Sequence, residues 1–134
     1  MPIETLIKGF RKFRSSYFED SRHYQNLVKN GQSPESLVIA CSDSRNDPAL
    51  MTGSKPGDIF AIRNVAAIVP PYQPDNNYHG TSAAIEFAVK GLMVKNIIVL
   101  GHALCGGVQE LAEGENAASF NYEFLTPWIK IGEP

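Results

Sequence analysis

The chain has 134 residues, of which 43% are hydrophobic and 19% charged, with fourteen acidic against twelve basic side chains. That apolar content supplies a real core and excludes a disordered chain, and the net charge of −2 does not suggest a nucleic-acid or anionic-membrane surface. No apolar run approaches the roughly 18 residues of a membrane span, and Met1 to Phe10 lacks the zones of a secretion signal, so a soluble, cytoplasmic protein with neither nucleic acid nor membrane as partner is expected.

The first thirty residues read as helix. Ile3, Leu6, Ile7, Phe10, Phe13, Tyr17 and Phe18 recur at steps of three and four and make one apolar stripe, with Lys8, Arg11, Lys12 and Arg14 on the remainder. A second short helix over 21–30 fits an N-cap at Ser21 and a terminating Gly31. From Ser36 the pattern changes to short apolar runs. Leu37 to Ala40, Asp58 to Ile62 and Asn96 to Leu100 are strand candidates, the last the strongest. Helices are predicted over Thr81 to Met93, where Ala83, Ala84, Phe87, Ala88 and Leu92 share a face, after Gly106, and from about Ser119 to Ile131. Short β-branched runs separated by helices mean an α/β fold, a central mainly parallel β-sheet flanked by helices, here with an N-terminal helical arm. Pro70-Pro71 through Asn76-Asn77 reads as a loop.

Two strand candidates end in chemically loaded turns. Cys41-Ser42-Asp43-Ser44-Arg45 follows the first, and Gly101-His102-Ala103-Leu104-Cys105-Gly106-Gly107 follows the third. Ligands of open α/β sheets sit beyond the carboxyl ends of strands, so parallel neighbours would bring Cys41, His102 and Cys105 to one end. The bland alternative for the chain's only two cysteines is a pair of buried structural thiols, and for the histidine a satisfied core residue. Two thiolates and one imidazole are three ligands of a tetrahedral zinc with one open corner, the mark of a catalytic site. Asp43 and Arg45 alternate with Cys41 along an extended segment and can share its face. An ordinary ion pair would explain them in isolation. Beside a metal, the carboxylate becomes a fourth ligand or accepts a hydrogen bond from bound water, and the arginine holds it ionised and oriented. His23 and His79 have no cysteine nearby and are expected to face solvent.

Cys-Ser-Asp-Ser-Arg at 41–45, Arg-Asn-Val-Ala at 63–66 and Gly-His-x-x-Cys-Gly-Gly at 101–107 resemble the signatures of the β-class carbonic anhydrases. Pro56-Gly57-Asp58, Val69-Pro70-Pro71-Tyr72 and Gly80-Thr81-Ser82-Ala83-Ala84-Ile85-Glu86 match in the same order, and the resemblance runs from about Leu6 to Ile131. It implies one zinc per chain on Cys41, His102 and Cys105, an Asp43–Arg45 dyad, and hydration of carbon dioxide to bicarbonate and a proton by zinc-bound hydroxide. Gln32, nine positions before Cys41, resembles the plant-type branch, in which that glutamine helps hold substrate from across a dimer interface. By the same match Phe60, Val65 and Phe87 line a small apolar pocket, and the Gly106 N–H sits near the substrate oxygen. A homodimer or a dimer of dimers is implied, and the Gln32 match implies the open state, with Asp43 off the metal. The chain departs from the pattern at Phe87, where tyrosine is usual, at Asn46 and Ala67, in place of valine and asparagine, and at Leu104, where a small or polar residue is more frequent.

Other chemistries remain open at this level: attack on another small cumulene such as carbon disulfide, a cysteine nucleophile paired with His102, or a non-catalytic remnant. Residues 1–134 are expected to form a single domain, with 1–30 as its arm. Because family members continue for several more tens of residues, the last part of the family domain is expected to be missing.

Overall fold

The computed structural model describes residues 1–19, 21–114 and 122–133. The chain forms two compact units, Met1–Ser33 and Pro34–Pro134.

In the first unit, helix α1 (Ile3–Phe13) runs into a wider turn, Arg14–Glu19, and α2 (Arg22–Asn30) follows. The Ser21 hydroxyl accepts the Tyr24 N–H, and Gly31 closes the helix at φ 80°, a left-handed backbone that favours glycine. The aromatic residues of the predicted stripe find partners inside this unit. Phe13 stacks on Tyr17 at 5.4 Å, and Tyr24 meets Phe13 and Phe18 edge-on at 5.5 and 5.9 Å.

The second unit is built on three parallel strands, β1 (Ser36–Cys41), β2 (Ile59–Asn64) and β3 (Asn96–Leu100), in the order β2-β1-β3. Register runs from Ser36 opposite Ile59 to Cys41 opposite Asn64 on one side, and from Ser36 opposite Asn96 to Ala40 opposite Leu100 on the other. Leu37, Val38, Ile39 and Ala40 are fully or almost fully buried, because a central strand covered on both faces must be apolar at every position. Leu37, Ile39 and Ala88 form the main cluster, with Phe60, Ile62, Ile85 and Val94 packed against it.

The differences from the predicted elements are local. A one-turn helix α3 (Pro48–Thr52) was not anticipated; Asp47 caps it by accepting the Leu50 N–H, with proline in the first turn. The predicted helix from Thr81 is α4 (Gly80–Glu86) followed by a widened turn, Phe87–Gly91, in which the Leu92 N–H reaches back five residues to the Phe87 carbonyl. Helix α5 (Gly106–Glu113) starts where expected. The last predicted helix is shorter, α6 (Leu125–Ile129) with a tight turn over Lys130–Gly132, and its expected start at 119–121 lies outside the described residues. β3, the strongest strand by sequence, lies at a sheet edge, where Ile97, Ile98 and Val99 are 55%, 46% and 56% exposed. Its apolar run signals a strand that takes cover on both faces, which these residues do not receive from the described part of the unit. Among the described residues no helix is long and apolar enough to cross a membrane.

Leu37→Ala is expected to lower stability by about 2–5 kcal/mol in denaturant unfolding, whereas Leu50→Ala, at a position 83% exposed, should change it by less than about 0.5 kcal/mol.

Candidate metal centre

The parallel pairing of β1 with β3 makes both strands finish at one end of the sheet. Cys41 is the last residue of β1, His102 follows β3 by two positions, and Cys105 precedes the first turn of α5. Their ligand atoms all lie within 4.8 Å of one another, with the two Sγ atoms 3.8 Å apart. Both cysteines are buried and free, and Ala66 and Ala67 pack against them.

The donor set fits a zinc ion. Two thiolates on one tetrahedral zinc, each at about 2.3 Å, stand about 3.8 Å apart, the spacing found here. The His102 Nε2 is buried without a hydrogen-bond partner, whereas Nδ1 lies 3.1 Å from the Ala103 carbonyl. An imidazole with one nitrogen tied to a backbone carbonyl and the other buried and bare is arranged as a metal-binding histidine is. Burial pushes the Cys41 thiol up, but the Asp43 N–H, the His102 ring, the Ala66 backbone and the Cys105 thiol outweigh it and leave the group below its ordinary value.

Asp43 and Arg45 form a forked pair. Arg45 Nε donates to Oδ1 at 2.9 Å and a terminal nitrogen to Oδ2 at 2.8 Å, while the Arg45 backbone N–H also donates to Oδ1 at 2.9 Å. The Arg45 side-chain bonds, then that N–H, hold the Asp43 carboxyl well below the usual carboxylate range. Oδ2 lies 4.0 Å from His102 Nε2, so an ionised carboxylate stands at the rim of the cluster. Arg45 also reaches the Leu104 carbonyl at 3.3 Å, tying the turn after β1 to the loop that carries Cys105.

The close packing here needs small residues. A side chain at Gly107 would place its Cβ 2.9 Å from both the Ala66 methyl and a Val65 methyl. Ala66, Ala67 and Leu104 adopt φ of 68°, 53° and 53°, a left-handed backbone that costs an L-residue roughly 1–2 kcal/mol. These strained positions flank both thiols. The Asn64 side chain braces the first pair, accepting the Ile68 N–H and donating to the Ile68 carbonyl.

The other expected residues divide. Val65 and Gly106 lie beside the cluster, Val65 against Gly107 and Gly106 directly after Cys105. Phe60 and Phe87 lie together, ring centroids 5.8 Å apart, but Phe60 is opposite Leu37, four residues and about 13 Å along the sheet from the Cys41 level. In one chain they do not reach the thiols. Gln32 belongs to the N-terminal unit, in the irregular segment after α2. His23 is exposed on α2. His79 differs from expectation: it is half-buried, Nε2 lies 2.6 Å from Asp75, and it lines a cavity of about 510 Å³ with Val65, Thr81 and Trp128. Sequence reasoning also passed over Arg63, whose guanidinium reaches the Cys41 carbonyl at 3.0 Å and the Asp43 carbonyl at 2.7 Å. Its place in the Arg-Asn-Val-Ala motif was the available signal.

A three-stranded parallel α/β sheet with a Cys–His–Cys cluster at the carboxyl ends of its strands defines the class. Residues 36–134 match the family model described as carbonic anhydrase. The chain is 43% identical over 125 residues to beta carbonic anhydrase 5, chloroplastic, of Arabidopsis thaliana, covering 93% of this chain and 40% of that protein. It is 41% identical over 131 residues to a carbonic anhydrase of Synechocystis sp., covering 98% and 47%. Among solved structures it is similar to the β-carbonic anhydrase CcaA, with a TM-score of 0.84 and 40% identity over 98% of this chain and 57% of that one. A tetrameric β-carbonic anhydrase of Sordaria macrospora matches at 0.77 and 31% over 95% and 60%. The chain belongs to the β-class carbonic anhydrase family, and it spans about half the length of the relatives it matches.

Two outcomes follow from the geometry. Equilibrium dialysis against zinc should load about one ion per chain, and Cys41→Ser or His102→Ala should abolish stoichiometric binding, since two remaining ligands cannot close the site. Gly107→Ala should destabilise the fold by about 1–3 kcal/mol in thermal or denaturant unfolding, because α5 must move off Val65 and Ala66.

Proposed function

We propose that this chain catalyses the reversible hydration of carbon dioxide to bicarbonate and a proton, with zinc on Cys41, His102 and Cys105 and the Asp43–Arg45 pair beside it. The observation that carries this reading is the convergence of three ligand atoms within 4.8 Å, with a carboxylate locked by an arginine fork at their edge. Zinc, when bound, supplies Lewis acidity that makes water a competent nucleophile near neutral pH.

The chain's own residues do the rest. Arg45 keeps Asp43 ionised, so the carboxylate can only accept a hydrogen bond, and Oδ2 is the oxygen nearer His102. It orients water and takes no ligand position while both its oxygens remain in the arginine fork, which supports the open arrangement. Gly106 opens α5, where backbone N–H groups have no partner within the helix, and its N–H suits a substrate oxygen. Val65 supplies an apolar wall for a nonpolar gas.

Phe60, Phe87 and Gln32 complete the substrate pocket from a second copy of the chain. The distance of Phe60 and Phe87 from the thiols of their own chain supports a homodimer or a dimer of dimers. Residues 1–134 act as part of one carbonic anhydrase domain with 1–30 as its arm. Two free thiols 3.8 Å apart serve as ligands only where they stay reduced, which suits the cytoplasm.

Stopped-flow hydration with parallel metal analysis tests the reading. The zinc-loaded chain should hydrate carbon dioxide, and Asp43→Ala should retain zinc while losing about 10–100-fold in kcat. Full zinc occupancy without hydration would overturn it. A fully active monomer in sedimentation would overturn the shared pocket.

A further inference from the structure

The turn that carries Cys41, Asp43 and Arg45 is held by two side chains that neither bind the metal nor reach the substrate pocket. Arg63, on β2, spends its guanidinium on this turn: Nε donates to the Cys41 carbonyl at 3.0 Å, one terminal nitrogen to the Asp43 carbonyl at 2.7 Å, and the other to the Asp47 carboxylate at 3.3 Å. Its side chain is only 31% exposed. At the far end of the same turn Asn46 is fully buried. Its backbone N–H closes the turn on the Asp43 carbonyl at 2.9 Å, and its side-chain Nδ2 donates to the Leu100 carbonyl at 3.0 Å. Leu100 is the last residue of β3, two positions before His102.

We infer that Arg63 and Asn46 are positioning residues: Arg63 fixes the Cys41–Asp47 turn against β2, and Asn46 latches that turn to the strand end that delivers His102. The Asp43 carbonyl therefore takes both the Arg63 guanidinium and the Asn46 N–H. With its main chain held on both sides, the Asp43 side chain keeps one direction, toward Arg45 and the rim of the cluster. A valine at position 46 could fill the space but could not make the bond to Leu100, so this latch belongs to the chain's own departure from the family pattern. A lysine at position 63 could present one point charge but not three donors in a plane.

The inference rests on the proposed metal-dependent reading, so its test begins with a measurement that needs no turnover. The wild-type chain, Arg63→Ala, Arg63→Lys and Asn46→Val are loaded with Co²⁺ and their visible absorption spectra compared without substrate. The expected result is one Co²⁺ per chain in each, a spectrum altered most in Arg63→Ala and less in Arg63→Lys and Asn46→Val. Zinc-loaded Arg63→Ala should lose about 10–100-fold in kcat with KM for carbon dioxide little changed. Millimolar guanidinium ion should return both its spectrum and its kcat toward wild type, which a general loss of packing would not allow. A wild-type spectrum in folded Arg63→Ala overturns the role of Arg63, and an altered one that guanidinium does not restore overturns it as well. If Arg63→Ala does not fold, Arg63→Lys decides: a wild-type spectrum and kcat there overturn the need for the fork. An unaltered spectrum in Asn46→Val overturns the latch. Should wild type bind cobalt and zinc but hydrate no carbon dioxide, the functional reading fails while the cobalt spectra still decide this one.

Discussion

The site exists because β1 pairs with β3 in parallel and in one register. Ala40 lies opposite Leu100, so the chain leaves both strands at the same height, and residues 64 positions apart in sequence meet within a few residues of those exits. Strand side chains alternate faces, so a slip of one residue would turn Cys41 away from Cys105. What keeps β1 between its two neighbours is its own composition. Its four most buried residues are apolar on both faces, and the cost of exposing them to water holds the strand in the centre of the sheet, where Cys41 meets His102 and Cys105. Core and site thus share one determinant.

Charge is handled within a few ångströms of that pairing. Two thiolates and a carboxylate repel one another, and two arginines stand beside them. Arg45 spends its fork on the Asp43 carboxylate, whereas Arg63 spends its own on main-chain carbonyls and Asp47. The two cations differ in consequence. One fixes the protonation and direction of a side chain, the other the backbone that bears it.

Strain marks the same place. Ala66, Ala67 and Leu104 take left-handed backbone where glycine would be easier, and the missing Cβ of Gly107 lets α5 settle on Val65 and Ala66. Energy of this kind persists only where surrounding contacts over-determine the conformation. Here those contacts are the Asn64 brace, the bond from the Trp128 indole to the Val65 carbonyl at 2.8 Å, and the thiol packing. The loop walls of the site are therefore held by tertiary contacts, although little regular secondary structure runs through them.

The sequence alone was enough for the three strands, most of the helices and the candidate metal donors, because apolar periodicity and the chemistry of Cys, His and Asp are local properties. Cys41, Asp43 and Arg45 could be grouped since alternation along one segment is itself a local rule. The tertiary structure decided what depends on distance between elements. It separated Phe60 and Phe87 from the thiols of their own chain, since their position along the sheet follows from register and not from composition. It placed β3 beside β1 and across from β2, because order in a sheet is set by which strands find partners. It gave Arg63 and Asn46 their partners, which lie 20 and 54 residues away in sequence, beyond the reach of any spacing rule, because hydrogen bonds form between groups that the folded backbone has already brought within 3 Å.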